Sequence, residues 1–260
     1  DRDEDRYYTG WDNWLPELWK ALGAPQLPLS RDVPSACYRV TTSPGKVDSP
    51  PVPDDDIVPP GATKLTLRTN RLLTPDDKAY DRDIRHYEFE IKGTTISYKT
   101  GDSLAIWPRN PVKLVEEFCS MMGLDPGQQL QVVPLEGARN WCPEELSVRQ
   151  LFTHVLDVFG KPNKKFFDML SLFAKDEKEK QILESIVSGS DDGKALYRDL
   201  VHDFAHHADV LKKFPSARPP VEHLINMIPP LKPRSYSIAS SPLMHSDIIQ
   251  LCVVQVDWTV

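Results

Sequence analysis

Two blocks of strand-type sequence stand on either side of a long helical one, and this order limits the fold more than any single residue does. Between residues 62 and 107, apolar and polar side chains alternate over 64–69, 86–91 and 103–107, with turn residues at Lys92-Gly93 and Gly101-Asp102. Alternation with period two between turns predicts half-buried antiparallel strands. Behind Pro111 the spacing of apolar residues changes to that of a helix, over 112–122, 147–159, 164–174, 177–187 and 194–214, with glycine and proline punctuation at Gly123, Gly160-Lys161-Pro162 and Gly189. A short helix over 221–228 stops at Pro229-Pro230, and strand character returns over 234–239 and 248–258. Helices inserted into a β domain are the economical arrangement, which places the chain in the α+β class. Phe166, Phe167, Leu170, Leu172 and Phe173 form a core stripe on one helix.

In front of the strands the pattern differs. Trp11, Trp14, Leu15, Leu18, Trp19 and Leu22 recur at helical spacing, with Gly23 placed to end an amphipathic helix of about a dozen residues. An acidic leader, residues 1–6, precedes it and reads as solvated surface or as a patch for a basic partner. Many of the 24 prolines fall in 25–60, among them Pro44, Pro50, Pro51, Pro53, Pro59 and Pro60, so this stretch reads as a linker or a strand-edge loop. The chain opens on Asp1 and stops at Val260 inside a predicted strand, as a fragment of something longer would.

Charge and composition exclude several partners. With 31 basic and 38 acidic residues the net charge is -7, and such a field repels nucleic-acid phosphates and anionic lipid. No run of eighteen apolar residues exists that could span a membrane as a helix. The four cysteines, Cys37, Cys119, Cys142 and Cys252, form no C-x-x-C pair and read as reduced thiols of an intracellular compartment. His202, His206 and His207 include an i, i+4 pair, but no H-E-x-x-H pattern accompanies them, and no metal site is expected.

The residues that carry chemistry lie in Pro233-Arg234-Ser235-Tyr236-Ser237-Ile238-Ala239-Ser240-Ser241-Pro242. On a strand, Arg234 and Tyr236 share one face, while Ser235 and Ser237 share the other. An arginine fork holds a diphosphate through charge-assisted hydrogen bonds of about 1.5–3 kcal/mol each, and a tyrosine ring covers a flat heteroaromatic ring. By itself the four-residue pattern is equally that of an ordinary surface strand.

The octet from Arg234 to Ser241 resembles the FAD-binding motif of the NADPH-dependent diflavin reductases, the family of the microsomal cytochrome reductase and the sulfite reductase flavoprotein. Thr69-Asn70-Arg71-Leu72-Leu73 is similar to the strand that opens its FAD domain. The segment from Tyr98 through Gly101-Asp102 to Pro108 is similar to its Y-x-x-G-D-x-x-x-x-x-P segment, and Phe214-Pro215-Ser216-Ala217-Arg218-Pro219-Pro220 to the end of its helical insert. The resemblance implies a flattened antiparallel β-barrel of the ferredoxin-NADP reductase type with an inserted all-α connecting domain. It divides the chain into the tail of a flavodoxin-like FMN domain (1–24), a hinge (25–60), the first part of the barrel (61–110), the connecting domain (111–230) and the second part of the barrel (231–260).

The same resemblance implies the site. Arg234 clamps the FAD pyrophosphate, with Ser235 beside it; Tyr236 stacks on the isoalloxazine, and Ser237 sits near N5 as the catalytic residue. Cys252, Val253 and Val254 give backbone contacts to the flavin edge, Trp258 packs an aromatic ring on FAD, and Arg71 meets the NADP phosphate. Cofactors are FAD and NADPH, with FMN in the preceding domain of the same chain, and the outer partner is a redox protein or a fused enzyme domain. A second glycine-containing phosphate loop and the NADPH-binding domain are expected beyond Val260, and residues 204–207 stand where some relatives carry an FAD-binding arginine. The N-terminal stretch also resembles the reductase module of pyruvate:NADP+ oxidoreductases. Cytoplasmic and mitochondrial locations both suit the family. A flavin-free docking scaffold and a helical interaction module remain alternative readings.

Overall fold

The computed structural model describes residues 14–23, 32–42, 57–75, 82–188, 190–202 and 205–255. Contacts divide the chain into two units: Asp1–Val40, Val132–Trp141 and Val158–Ile228 form the first, and Thr41–Gln131, Cys142–Asp157 and Pro229–Val260 the second.

In the first unit a helix over 14–21, α1, is followed by Gly23 at φ +61°, the left-handed conformation that ends a helix at little steric cost. This agrees with the expected stop, although Trp14 and Trp19 are exposed. Strand β1, Tyr38–Thr42, begins here with a buried tyrosine whose hydroxyl donates to Arg139 O at 2.6 Å. The helices are α4 (Lys164–Ser171), α5 (Glu177–Val187), α6 (Asp191–His202), α7 (His207–Lys213) and α8 (Val221–Met227). Asn163 caps α4 through Phe166 N–H, and Asp176 caps α5 through the N–H groups of Lys178 and Glu179. Phe166, Phe167 and Leu170 are buried, but α4 ends at Ser171, short of the expected 174, and Leu172 and Phe173 lie half-buried in the turn behind it. The single helix expected over 194–214 is two helices. A capping box between His206 and Asp209 starts α7 afresh, a local signal that helical spacing alone does not register.

In the second unit the central strand β3 (Asp83–Glu90) lies between β2 (Thr66–Leu72) and β8 (Ile248–Gln255), antiparallel to both, with a bulge between Leu67 and Thr69. Strands β4 (Ser103–Ile106) and β7 (Arg234–Ser237) form an antiparallel pair. The two sheets are joined where β7 runs on: Ile238 bridges Leu251, and Ala239 N–H donates to Gln250 O at 2.8 Å. Ile91, Tyr98, Ile249 and Leu251 form the buried core of this β structure. No sheet closes into a barrel among the described residues. The series of strands runs open from β2 to β4, because nothing described pairs with the outer edge of either.

The interval between β4 and β7 is not all helical. Helix α2 (Val112–Met122) has the expected bounds and buries Val115, Phe118 and Cys119, but β5 (Gln129–Pro134) and β6 (Glu145–Ser147) follow it. Burial alternates along β5, with Leu130 and Val132 inside. Instead of a helix over 147–159 there is one turn, α3 (Val148–Gln150), capped reciprocally by Ser147 and Gln150, and then a π turn at Leu151–Val155. The chain leaves it extended at Leu156, which bridges Pro230. The buried Asn110 accounts for this break. Its Nδ2 donates to Phe152 O (2.7 Å) and Leu156 O (2.8 Å), so these carbonyls are satisfied from outside the turn.

Candidate functional site

The tyrosine and aspartate of the 98–108 segment build the support for β7. Asp102 Oδ2 accepts Lys99 N–H at 2.7 Å, closing a turn in which Gly101 takes φ +99°, and Asp102 O accepts Ile238 N–H at 3.0 Å. The buried Tyr98 hydroxyl lies 2.8 Å from Ser240 Oγ, which also accepts Gln250 N–H at 3.1 Å. Two stretches more than a hundred residues apart are therefore one structure, with β8 attached to it.

Register fixes the faces of β7. Arg234 pairs with Ile106, Ser235 with Ala105, Tyr236 with Leu104 and Ser237 with Ser103. Tyr236, Leu104, Ile106 and Ile238 pack against the core, so Tyr236 is half-buried, whereas Arg234, at the strand's start, is exposed. Ser235 and Ser237 take the opposite, exposed face. The bridge between Ile238 and Leu251 puts Ser237 and Cys252 at the next positions outward on the two strands, and both are exposed. Arg71 pairs with His86, and His86 with Cys252. One row across the solvent face thus carries Arg71, His86, Cys252, Ser237 and Ser103.

Among the described residues the side chains of Arg71, Arg234, Ser235, Tyr236 and Ser237 make no hydrogen bond or ion pair, so these donors are unspent. Val253 is half-buried and Val254 exposed; from Cys252 onward β8 pairs with β3 on one side and with no described strand on the other. An unpaired edge presents main-chain N–H and C=O groups to a ligand. Trp258 lies outside the described residues, as do the acidic leader and most of the proline-rich stretch.

One row further along the same face is a polar cluster that sequence reasoning missed. Glu88 accepts from Thr69 Oγ1 (2.7 Å) and Gln250 Nε2 (2.9 Å), and its Oε1 lies 3.1 Å from His86 Nε2. The Thr69 and His86 hydrogen bonds, aided by Gln250 and opposed by partial burial, lower its pKa from 4.5 to about 2. The signal available was the i, i+2 polar spacing Thr69-x-Arg71, His86-x-Glu88 and Gln250-x-Cys252 on three segments of strand type. Nothing local says that those segments are neighbours.

A cleft of about 680 Å³ opens beside β4, lined by Leu65, Ile106, Trp107, Arg109 and His154, with Pro233 at its edge. Arg234 and Tyr236 are not in its lining.

The FAD binding domain family matches residues 62–260, which include every strand of this site. The chain belongs to the FAD binding domain family. The sulfite reductase [NADPH] flavoprotein component of Saccharomyces cerevisiae is 41% identical over 196 residues, covering 75% of this chain and 18% of that protein. "Pyruvate dehydrogenase [NADP(+)], mitochondrial" of Euglena gracilis is 35% identical over 243 residues, 94% of this chain and 12% of that protein. NADPH--cytochrome P450 reductase of Oryctolagus cuniculus is 32% identical over 199 residues, 74% of this chain and 29% of that protein. The resemblance to NADPH-dependent diflavin reductases therefore holds, and this FAD binding domain spans less than a third of the length of these relatives. No helix among its described residues is long and apolar enough to cross a membrane.

Proposed function

We propose that this chain is the FAD-holding and connecting region of an NADPH-dependent diflavin oxidoreductase, passing electrons between NADP(H), FAD and an FMN domain that serves a redox partner. The observation that carries the reading is the set of unspent donors gathered at β7: Arg234 and Tyr236 on one of its faces, Ser235 and Ser237 on the other, and Arg71 in the row of Ser237 and Cys252. These residues fit a dinucleotide, because a bound diphosphate and polyhydroxyl chain need donors without internal partners. Bound FAD supplies hydride and single-electron chemistry; the protein supplies orientation and a fixed electrostatic setting. Arg234 holds the pyrophosphate, Tyr236 covers the ring with its exposed part, and Ser237 presents its hydroxyl at the flavin's reactive edge. The free edge of β8 at Cys252, Val253 and Val254 meets the ring, Trp258 adds an aromatic face, and Arg71 takes the NADP phosphate.

In this reading the strands form the wall of a flattened barrel and residues 111–230 a connecting domain. Residues 1–24 end an FMN domain, and 25–60 are the hinge behind it. A second observation favours a more specific setting. The match to the Euglena gracilis protein extends over 94% of the chain, whereas the sulfite reductase match covers 75%. The stretch in front of residue 62 is thus shared with a pyruvate-oxidising protein, so we place this region in a module fused behind such an enzyme, mitochondrial like that relative, with electrons moving toward NADP+.

The test is flavin retention in the intact protein. Arg234→Ala removes charge-assisted hydrogen bonds of about 1.5–3 kcal/mol and is expected to weaken FAD binding by about ten- to a hundredfold, read by flavin fluorescence on titration; Tyr236→Ala is expected to lower flavin content similarly. Wild-type FAD affinity in both variants would remove the cofactor assignment.

A further inference from the structure

We infer that Glu88 is a positioning residue of the cofactor face, acting through the imidazole of His86; the inference rests on the FAD reading above. Glu88 stands on the central strand and draws its partners from all three strands of the sheet: Thr69 of β2, His86 of β3 and Gln250 of β8. Both carboxylate oxygens are engaged, Oε2 by Thr69 and Oε1 by His86 and Gln250.

An ionised carboxylate only accepts, so the proton on this side of the imidazole sits on Nε2. In the neutral ring Nδ1 is then an acceptor, and it makes no hydrogen bond among the described residues. His86 occupies the middle of the row, between Arg71 and Cys252. In the same row Arg71 only donates, and the hydroxyls of Ser237 and Ser103 rotate and can donate or accept. His86 adds an acceptor whose direction is fixed by its tautomer, suited to a hydroxyl or ring N–H of the bound dinucleotide. A side chain held from behind loses less freedom on binding than a free one, which is how a residue that touches no ligand alters affinity.

Glu88→Gln keeps the shape of the side chain but turns one accepting oxygen into a donating amide. With the amide NH2 toward the ring, Nε2 becomes the acceptor and the proton moves to Nδ1, which then cannot accept from the ligand. The experiment uses the full-length protein, FAD removed and titrated back, with 15N-histidine NMR of the flavin-free form. Glu88→Gln is expected to shift the His86 tautomer from Nε2–H to Nδ1–H and to weaken FAD binding about tenfold, the worth of one hydrogen bond. His86→Ala is expected to weaken FAD binding to a similar degree, and the double variant no further than His86→Ala alone.

Thr69→Val removes one bond to Glu88 and leaves the His86 contact, so it separates stapling of strands from positioning; FAD affinity within twofold of wild type is expected. The inference is overturned if the tautomer does not change, if the losses of the two single variants multiply in the double, or if Thr69→Val weakens FAD as much as Glu88→Gln does. Should Glu88→Gln fail to fold, retention of FAD by His86→Ala overturns it equally. Arg234→Ala keeps the two levels apart: if it loses FAD while Glu88→Gln and His86→Ala keep it, only this inference falls, and if it too retains FAD, the cofactor reading falls.

Discussion

Thiol reactivity depends on burial, and the four cysteines differ sharply in it. Cys37 and Cys252 are exposed; Cys119 and Cys142 are buried. Burial pushes the Cys142 thiol up to about 12 and the Cys119 thiol up to about 11, the latter against a lowering by Arg149. At pH 8 these two thiols are thiolate in no more than about one molecule in a thousand, and the thiolate is the nucleophile. Iodoacetamide is therefore expected to modify Cys37 and Cys252 and to spare the other two, as read by peptide mass mapping. The proposed role of Cys252 adds a sharper expectation. Saturating FAD slows its modification at least about tenfold, a protection factor set by site occupancy, and leaves Cys37 unchanged. Equal rates for Cys252 with and without FAD would place the flavin elsewhere. Cys252 shows what one residue's sequence context conveys: strand character is legible around it, but only the pairing of three strands puts it on the solvent face beside His86 and in line with Arg71.

Elements were legible where their determinants are local. The bounds of α2 and α5 follow from apolar spacing with Gly123 and Asp176 at their ends, and β4 and β7 follow from alternation between turn residues. Apolar spacing reads 147–159 as a helix because the determinant of its true conformation is distant in sequence: Asn110 lies 42 and 46 residues from the carbonyls it satisfies. Apolar spacing cannot distinguish a continuing helix from a π turn held open by such a side chain, since both bury the same residues; Leu151, Phe152, Thr153, His154 and Val155 are all buried. The strand that carries Arg234–Ser237 was legible for a similar local reason, and the Glu88 cluster was not, because it needs three strands at once. Asn110→Ala removes two buried hydrogen bonds and leaves two carbonyls short of a donor. The expected cost is about 2–4 kcal/mol, seen as a lower urea midpoint with an unchanged m-value. A loss under about 0.5 kcal/mol, within the scatter of surface substitutions, would mean that the π turn is held by packing, such as the 5.0 Å contact between Phe118 and Phe152, and not by Asn110.

At the scale of the whole molecule, the chain passes between its two units at 40/41, 131/132, 141/142, 157/158 and 228/229. Neither unit is continuous in sequence, yet the proposed cofactor residues at 71, 234–237 and 252–254 all fall in the second. A ligand that binds only the folded state stabilises whatever must be folded to bind it, by about 2.7 kcal/mol at a hundred times Kd. If the units open independently, that stabilisation is confined to the one holding the strands. Hydrogen exchange on the full chain reads this directly. With FAD at a hundred times Kd, amides of β3, β7 and β8 are expected to exchange about a hundredfold more slowly, while those of α4, α5 and α6 keep their rates. The π turn at Leu151–Val155 and helix α2 belong to the second unit and follow the strands, although both are helical in character. Slowing spread equally over α4–α6 and the strands would show that the two units unfold as one. Slowing in α4–α6 with none in β7 and β8 would move the flavin to the helical unit and remove it from Arg234.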